Sequence, residues 1–227
     1  MNMMETIAKA GLLAVGVLLL LLACQTQEPL ALKQFEQAPL NGMVYDYDNR
    51  PCARVTVVLD QKWKVETDIN GRFYFPPIEA GDYTLMFEKK DYEPVELSFH
   101  FHSRMQVFYV KMISIDQLGR KIENAISYKR WKEADALIKR ALKIVPDDPV
   151  TQYLKASLEL KRGNFESAAE TILAILDTGH NDLVLLLSLA DLYQHKLGNP
   201  AAARQWLHRY LQAKEDPEIR KRYEGLE

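Results

Sequence analysis

Cysteine is scarce in this chain, and neither sign of charge is in clear excess. The 227 residues include two cysteines, and 29 basic residues nearly balance 31 acidic ones to give a net charge of −2. So few thiols exclude a disulfide framework or a thiolate zinc site, and the fold must therefore depend on packed apolar cores. A nearly neutral chain also lacks the concentrated positive face that phosphate binding requires, which argues against nucleic acid as a partner.

The apolar run near the N-terminus is too short for a stable membrane span. It extends from Ala10 to Ala23, and its fourteen residues carry no charge. As a helix they would measure about 21 Å, against roughly 30 Å for the hydrocarbon core of a bilayer. A run of this length is typical of the apolar region of a signal peptide. Lys9 supplies a positive charge before it, and Glu5 offsets part of that charge.

The four residues that end this run, Leu21-Leu22-Ala23-Cys24, resemble the lipobox of bacterial lipoproteins. The resemblance implies that residues 1–23 are a signal peptide and that Cys24 carries the lipid that holds the protein on a membrane of the bacterial cell envelope. Because Gln25 rather than Asp follows Cys24, the resemblance favours the outer membrane. Cys52 is then the remaining thiol, so no internal disulfide can form. The alternative is an uncleaved N-terminal anchor with an incidental cysteine.

Two regions of different pattern follow the lipobox. Residues 24–40 lack a clear period and are interpreted as the lipidated Cys and a tether. Residues 41–113 alternate apolar and polar side chains in short segments, which is typical of half-buried strands and predicts a small antiparallel β-sandwich. The alternating positions are Val55, Val57, Leu59, Trp63, Val65, Thr67, Phe73, Phe75, Tyr83, Leu85, Phe87, Val95, Leu97, Phe99, Phe101, Met105, Val107 and Tyr109.

Two dipeptides predict the corners between these strands. Asn70-Gly71 is expected to supply the positive φ angles of a tight hairpin, and Gly81-Asp82 is expected to do the same at the next corner. The segment around the first of them, Thr67 to Phe73, reads T-D-I-N-G-R-F. It resembles the hairpin of carboxypeptidase regulatory-like domains, which have a transthyretin-like sandwich. The resemblance implies a non-catalytic companion domain that acts as a spacer or a binding module.

Two groups of residues in this domain invite a metal-site interpretation. His100 and His102 project from the same face of a strand, but zinc needs a third ligand, and the intervening phenylalanines occupy the core face. We therefore expect exposed histidines and no metal. Four oxygen-bearing residues lack the ligand density of a calcium loop and are expected to cap turns. They are Asp46, Asp48, Asp68 and Asn70.

From about Ser114 the apolar period changes from two to that of helices. Ala134, Ala168 and Ala203 recur at intervals of 34 and 35 residues, each within a helical pattern. A period of 34 is that of the tetratricopeptide repeat, and the surroundings of each alanine resemble the second helix of that repeat. Gly163-Asn164 and Gly198-Asn199 mark the turns between paired helices. The predicted fold class is thus α+β in separate domains, a β-sandwich at 41–113 followed by an α-helical solenoid.

The solenoid is expected to occupy residues 114–227, with three repeats and a C-terminal capping helix. Asp216 and Pro217 predict the start of that helix, as N-cap and first helical residue. Resemblance to tetratricopeptide repeats implies a concave groove lined by the first helix of each repeat. The groove candidates are Glu123, Tyr153, Ser157, Asp191, Gln194 and His195.

These features predict a membrane-anchored envelope lipoprotein that acts as a non-catalytic adaptor or scaffold. Its partner would be a protein or peptide of the envelope, bound through the helical repeats. We find no catalytic residues and expect no cofactor. The alternative is a glycan- or peptidoglycan-binding lipoprotein whose sandwich carries the ligand site and whose repeats oligomerise. An enzymatic alternative would depend on His100 and His102.

Replacing the lipobox cysteine tests the anchor. We expect Cys24→Ala to leave an unlipidated precursor, because the thiol is the acceptor of the lipid. Incorporation of labelled fatty acid and the size of the product measure this. A wild-type chain that takes up no label, or a variant that is processed like the wild type, would refute the lipobox interpretation.

Overall fold

A computed structural model describes residues 37–102, 106–179 and 182–226 of the chain. The predicted signal peptide, Cys24, the tether up to residue 36, and Met105 lie outside these residues. Seven strands and then seven helices follow one another in the part that is described. In that part, no helix combines the length and the apolar character needed to cross a bilayer.

The strands form two sheets that pack against each other. They are β1 (Gln37–Asp46), β2 (Thr56–Leu59), β3 (Trp63–Glu66), β4 (Arg72–Glu79), β5 (Gly81–Glu88), β6 (Val95–Phe101) and β7 (Val107–Met112). Sheet A has the order β4-β1-β7, and sheet B has the order β3-β2-β5-β6. The predicted sandwich is confirmed, with one difference in strand direction. Strands β1 and β7 pair in parallel, because β6 lies in the other sheet and no hairpin forces β7 to run against its neighbour.

Aromatic side chains join the two sheets. The ring of Phe73 in sheet A lies 5.6 Å from that of Phe87 in sheet B, and Phe108 lies 4.5 Å from Phe99 in the same way. Both pairs meet edge to face, the geometry that the aromatic quadrupole favours. Each buried phenylalanine stabilises the fold by about 1.5–3 kcal/mol through removal of apolar surface from water. The core of the sandwich is therefore continuous across both sheets.

The first strand begins earlier than the sequence analysis predicted. Strand β1 starts at Gln37, whereas residues up to 40 were assigned to the tether. Ala38 and Leu40 are buried and pair with Ile78 and Phe75 of β4. The tether interpretation is wrong for these four residues because the strand alternation already begins with them.

The predicted face of the last strand is also wrong. Val107 and Tyr109 were expected in the core, but both are exposed, and the intervening Phe108 and Val110 are buried instead. Both alternating sets of positions in this strand are occupied by apolar residues, so periodicity alone does not predict which set faces the core. Met112 is buried at the end of the same inner face.

The two predicted corners differ from the expectation. Only Gly71 of the Asn70-Gly71 pair has a positive φ, at +74°, and the loop connects sheet B to sheet A rather than two paired strands. The Asp68 side chain holds this loop by accepting hydrogen bonds from the backbone N–H groups of Asn70 and Arg72, each at 2.8 Å. Gly81 is the first residue of β5 and lacks a positive φ.

The β2–β3 hairpin uses a turn that the sequence analysis missed. Asp60 and Gln61 both have positive φ angles, 48° and 57°. The Asp60 side chain accepts a hydrogen bond from the backbone N–H of Thr84 at 2.8 Å, which holds the turn against β5. A turn with two positive φ angles usually contains glycine or asparagine, so Asp-Gln gave only a weak signal.

Seven helices form the second part of the described chain. They are α1 (Ile115–Ser127), α2 (Trp131–Ile144), α3 (Pro149–Arg162), α4 (Phe165–Asp177), α5 (Leu183–His195), α6 (Pro200–Ala213) and α7 (Pro217–Glu224). Ala134, Ala168 and Ala203 are fully buried in α2, α4 and α6, as predicted. A small side chain at these positions lets the paired helices approach closely.

The N-caps of alternate helices recur at a constant spacing. Ser114, Asp148, Asp182 and Asp216 precede α1, α3, α5 and α7, each 34 residues after the one before. Every one of these side chains accepts a hydrogen bond from a backbone N–H of the first turn. The predicted N-cap at Asp216 is thus confirmed. Helix α7 begins where the first helix of a fourth repeat would begin.

A network of hydrogen bonds fixes the sandwich to the first helices. Arg140 of α2 donates to both carboxylate oxygens of Glu93, at 3.0 and 2.6 Å. The backbone N–H of Ile115 donates to the carbonyl of Asp91 at 2.8 Å. Arg120 of α1 lies 2.8 Å from an oxygen of Asp48. Both α1 and α2 therefore contact the sandwich through polar pairs.

The loop that contains Gly71 provides a test of the fold. A Cβ atom at Gly71 would lie 2.4 Å from the carbonyl oxygen of Val44, whereas at Gly163, with φ +84°, it would meet nothing within 4 Å. Gly163→Ala should therefore reduce the free energy of unfolding only by the cost of a left-handed backbone for a residue with a Cβ atom, about 1–2 kcal/mol. Gly71→Ala should cost more, about 3 kcal/mol or above, because the backbone must also move. Thermal unfolding of the two variants measures this, and equal losses would contradict the close packing at Gly71.

The Glu93–Arg140 pair makes the stability of the junction depend on pH. Hydrogen bonding to Arg140 lowers the pKa of the Glu93 carboxyl below its usual value. A lowered pKa in the folded state contributes stability above the ordinary value of about 4.3, and that stability is lost as the pH falls through the lowered value. We expect Arg140→Met to reduce the free energy of unfolding by about 1 kcal/mol at pH 7. The loss should shrink as the pH falls below about 4.

Lys139, exposed on the same helix, offers a matched control. Lys139→Met removes the same charge without breaking the pair, so it should change the unfolding free energy little at any pH. Urea denaturation at several pH values measures both variants. A loss for Arg140→Met that stays constant between pH 7 and pH 3 would rule out the ion pair as its cause.

Candidate functional site

An apolar pocket lies between the second and third repeats. It has a volume of about 350 Å³ and is open to solvent. We call it the α3–α5 pocket, and its lining consists of Pro149, Val150, Tyr153, Ile175, Asp182, Val184 and Leu185. Ile175 and Leu185 are buried, whereas Val150, Tyr153 and Val184 are 61%, 39% and 56% exposed. Three large apolar side chains thus stand in solvent beside a buried apolar floor.

The repeat period explains why two valines line the same pocket. Val150 and Val184 are the second residues of α3 and α5, and they are 34 residues apart. Asp148 accepts from the backbone N–H of Thr151 at 2.7 Å, and Asp182 accepts from that of Val184 at 2.8 Å. These caps fix the first turn of each helix. Equivalent positions in stacked repeats recur on the same face of the array, and both valines line the same pocket.

Tyr153 connects the pocket to the groove that the sequence predicted. It lies one turn after Val150 on the same face of α3 and presents its ring to the pocket. Ser157, one turn further, is half-buried and is not part of the lining. Glu123 on α1 and His195 at the end of α5 are exposed, and neither lines the pocket. Of the six predicted groove residues, the structure thus places one in the pocket.

Asp191 and Gln194 both contact the last helix. Both contact Arg222 of α7, which lies 2.7 Å from the Asp191 carboxylate and donates at 2.7 Å to the Gln194 side-chain oxygen. These residues therefore hold the last helix on α5, while the Asp191 side chain stays 59% exposed. The last helix was predicted as a cap, and the contact of its Arg222 with α5 was not predicted.

Aromatic and apolar contacts reinforce the attachment of α7. Ile219 packs on the apolar core of the later repeats. The guanidinium of Arg204 lies 4.3 Å from the ring centre of Tyr223, a cation–π distance. Helix α7 thus covers the end of α5, whereas the α3–α5 pocket remains open to solvent.

The pocket can bind an apolar side chain and offers little for chemistry. Its titratable members are Asp182, which caps α5, and Tyr153. Burial of one additional valine- or leucine-sized side chain contributes about 1.5–3 kcal/mol. The exposed valines were not predicted because each valine alone is an ordinary surface residue. The signal that identifies them is a shared position: each valine lies two residues after an N-cap aspartate, and the two are separated by the repeat period.

The histidines and carboxylates of the sandwich do not converge. His100 lies 2.9 Å from an oxygen of Asp82, and its ring centre is 6.4 Å from that of His102. Within residues 37–102, 106–179 and 182–226, no three His, Cys, Asp or Glu side chains are placed to hold a metal ion. Asp46 and Asp68 cap backbone turns as predicted, whereas Asp48 pairs with Arg120.

Cys52 is a buried member of the sandwich core. Its burial raises the pKa of the thiol above the usual value, so the reactive thiolate is disfavoured. The side chain therefore behaves as a small apolar residue, which explains its place next to the Gly71 loop.

Two protein-family models match separate parts of the chain. Residues 39–104 match the model of the carboxypeptidase regulatory-like domain, and residues 125–192 match the model of the tetratricopeptide repeat. The two modules follow one another in the order that the sequence analysis predicted. Both families are interaction or companion modules rather than catalytic domains. A search of curated proteins found no match.

Two solved structures are similar to part of the chain. The N-terminal domain of stress-induced protein-1 from C. elegans is 19% identical, with 49% of this chain and 93% of that chain covered, and its TM-score is 0.45. The Yersinia enterocolitica type III secretion translocator chaperone SycD is 14% identical, with 49% and 87% covered, and its TM-score is 0.41.

Proposed function

We propose that this protein is a lipid-anchored, non-catalytic adaptor of the bacterial cell envelope that captures a protein partner through its helical repeats. The exposed apolar α3–α5 pocket carries this proposal. Monomeric proteins seldom leave several large apolar side chains together in solvent unless the patch binds something. The match of residues 125–192 to tetratricopeptide repeats, whose arrays act as interaction scaffolds, supports the same conclusion.

Capture would depend on one apolar side chain of the partner. It would enter between Val150 and Val184 and contact the buried Ile175 and Leu185 at the floor. The ring of Tyr153 would cover it from the side. Because the two N-caps fix the first turns of α3 and α5, the pocket needs little ordering on binding, which favours affinity. A central buried side chain of this kind usually supplies most of the binding free energy.

The proposed anchor lies at the other end of the chain. Lipid on Cys24 would hold the protein on a membrane, and Gln25 favours the outer membrane by resemblance to other lipoproteins. The sandwich would act as the module between the membrane and the repeats. Its contacts with α1 and α2, including the Glu93–Arg140 pair, would keep the pocket in a fixed direction relative to the sandwich.

A matched pair of variants tests the proposed site. Val150→Ser with Val184→Ser removes apolar surface from the pocket without burying a charge, so the helices should stay folded. We expect capture of the partner to fall by about tenfold or more, because two side-chain contacts of roughly 1 kcal/mol each are lost. Cross-linking in native membranes followed by affinity purification measures this. Tyr128→Ser, which changes an exposed residue at the end of α1, serves as the control and should leave capture unchanged.

Circular dichroism of both variants separates loss of binding from loss of folding. A folded double variant that still captures every partner of the wild-type protein would show that the α3–α5 pocket is not the docking surface. Loss of capture in the Tyr128→Ser control as well would also contradict the proposal, since the effect would not belong to the pocket.

A further inference from the structure

The outer face of sheet A combines tyrosines with basic residues. The register pairs Asn41 with Tyr74 and Val107, Met43 with Arg72 and Tyr109, and Tyr45 with Lys111. All eight side chains lie opposite the buried residues of the same strands. Tyr74 and Tyr109 are 58% and 70% exposed. The charged members of this set, Arg72 and Lys111, are both cations. Further along the β1–β4 ladder, the outward pair of Gln37 with Glu79 adds one carboxylate at the end of the sheet far from Lys111.

A further tyrosine extends this face toward the helices. Tyr47 follows β1, and its ring centre lies 6.0 Å from the Lys111 ammonium and 5.7 Å from the Lys121 ammonium of α1. Lys111 also donates a hydrogen bond to the side chain of Asn49 at 2.8 Å. We call the exposed and half-buried side chains of this region the tyrosine–lysine face. Its members are Tyr45, Tyr47, Arg72, Tyr74, Tyr109, Lys111 and Lys121.

The outer face of sheet B has the opposite charge. The register places four carboxylates and one lysine among its outward positions. These are Glu66, Asp82, Glu88, Glu96 and Lys64. The sandwich is therefore polarised across its thickness, with a basic, aromatic side and an acidic side. A negatively charged surface would attract one side and repel the other.

We propose that the tyrosine–lysine face rests on an anionic lipid surface. Tyrosine places its ring and hydroxyl at the level of the lipid head groups, and arginine and lysine extend their charge to the phosphates. Basic residues near an anionic bilayer each contribute to binding, and the effect falls off within a Debye length of roughly 8–10 Å. The acidic face of sheet B lies on the far side of the sandwich, so it sets the orientation and does not cancel the attraction.

The length of the chain before β1 agrees with this occupant. Twelve residues separate Cys24 from Gln37, the first residue of the central strand of sheet A. Even when fully extended they span only roughly 43 Å. A lipid on Cys24 would thus keep this sheet close to the bilayer. This step depends on the proposed anchor, whereas the charge and aromatic composition of the face do not.

The test uses the chain from residue 24 with Cys24→Ser, which keeps every residue of both described domains and cannot be lipidated. Flotation with vesicles of phosphatidylcholine alone, or of phosphatidylcholine with phosphatidylglycerol, measures partitioning. We expect binding only with phosphatidylglycerol, and a decrease as salt is added. Such a result concerns the face alone, because the anchor is tested separately by fatty-acid labelling of the full chain.

Two charge-matched double variants show whether the binding belongs to sheet A. Arg72→Gln with Lys111→Gln should reduce the partition coefficient by about 30-fold, a factor of roughly five for each cation removed. Lys62→Gln with Lys64→Gln removes the same charge from exposed positions on and beside sheet B and should have little effect. Tyr74→Ser with Tyr109→Ser should also weaken binding while leaving the net charge unchanged.

Three outcomes would overturn the proposal. One is absence of binding to phosphatidylglycerol vesicles at low salt by a chain that circular dichroism shows to be folded. Another is an equal loss of vesicle binding in the Arg72→Gln, Lys111→Gln variant and in the Lys62→Gln, Lys64→Gln variant. Such a result would indicate electrostatic attraction without a defined face. The third is binding of a soluble acidic polysaccharide, polygalacturonate, by the same residues in a protein that does not bind the vesicles. That result would identify a glycan site.

Discussion

The helical part of this protein depends on one repeated interaction, a side-chain oxygen that accepts a backbone N–H at the start of a helix. Ser114, Asp148, Asp182 and Asp216 make this contact at intervals of 34 residues. Each cap contributes about 1 kcal/mol, and together they fix where successive first helices begin. The α3–α5 pocket follows directly, because Val150 and Val184 stand at the same distance after their caps.

The two domains separate two tasks that the sequence combines in one chain. The helical array offers an apolar pocket of defined shape, which suits a partner that inserts a side chain. The sandwich offers a broad face with tyrosines and cations on one side and carboxylates on the other. Between them, the Glu93–Arg140 and Asp48–Arg120 pairs join the sandwich to α2 and α1.

Sequence reasoning succeeded where one pattern dominated a segment. Buried alanines at the repeat period identified the second helices, since only a small side chain fits between the paired helices. It failed in β7, where apolar residues occupy both faces, and at Gly81, where a glycine-aspartate pair begins a strand. The positions of Asp191 and Gln194 also required the structure, because no local pattern indicates that Arg222 reaches back to α5. Pairing between distant segments is the information that periodicity lacks.

The parallel pairing of β1 and β7 has a mechanical consequence. The described chain enters sheet A at the start of β1 and leaves for helix α1 from the end of β7, so its entry and exit lie at opposite ends of one ladder. A pull between Gln37 and the helices therefore drives the two strands past each other in shear. The hydrogen bonds along the six residue pairs of this ladder must then break together, whereas an antiparallel hairpin would open one bond at a time. The sandwich is built to transmit tension along its central strand.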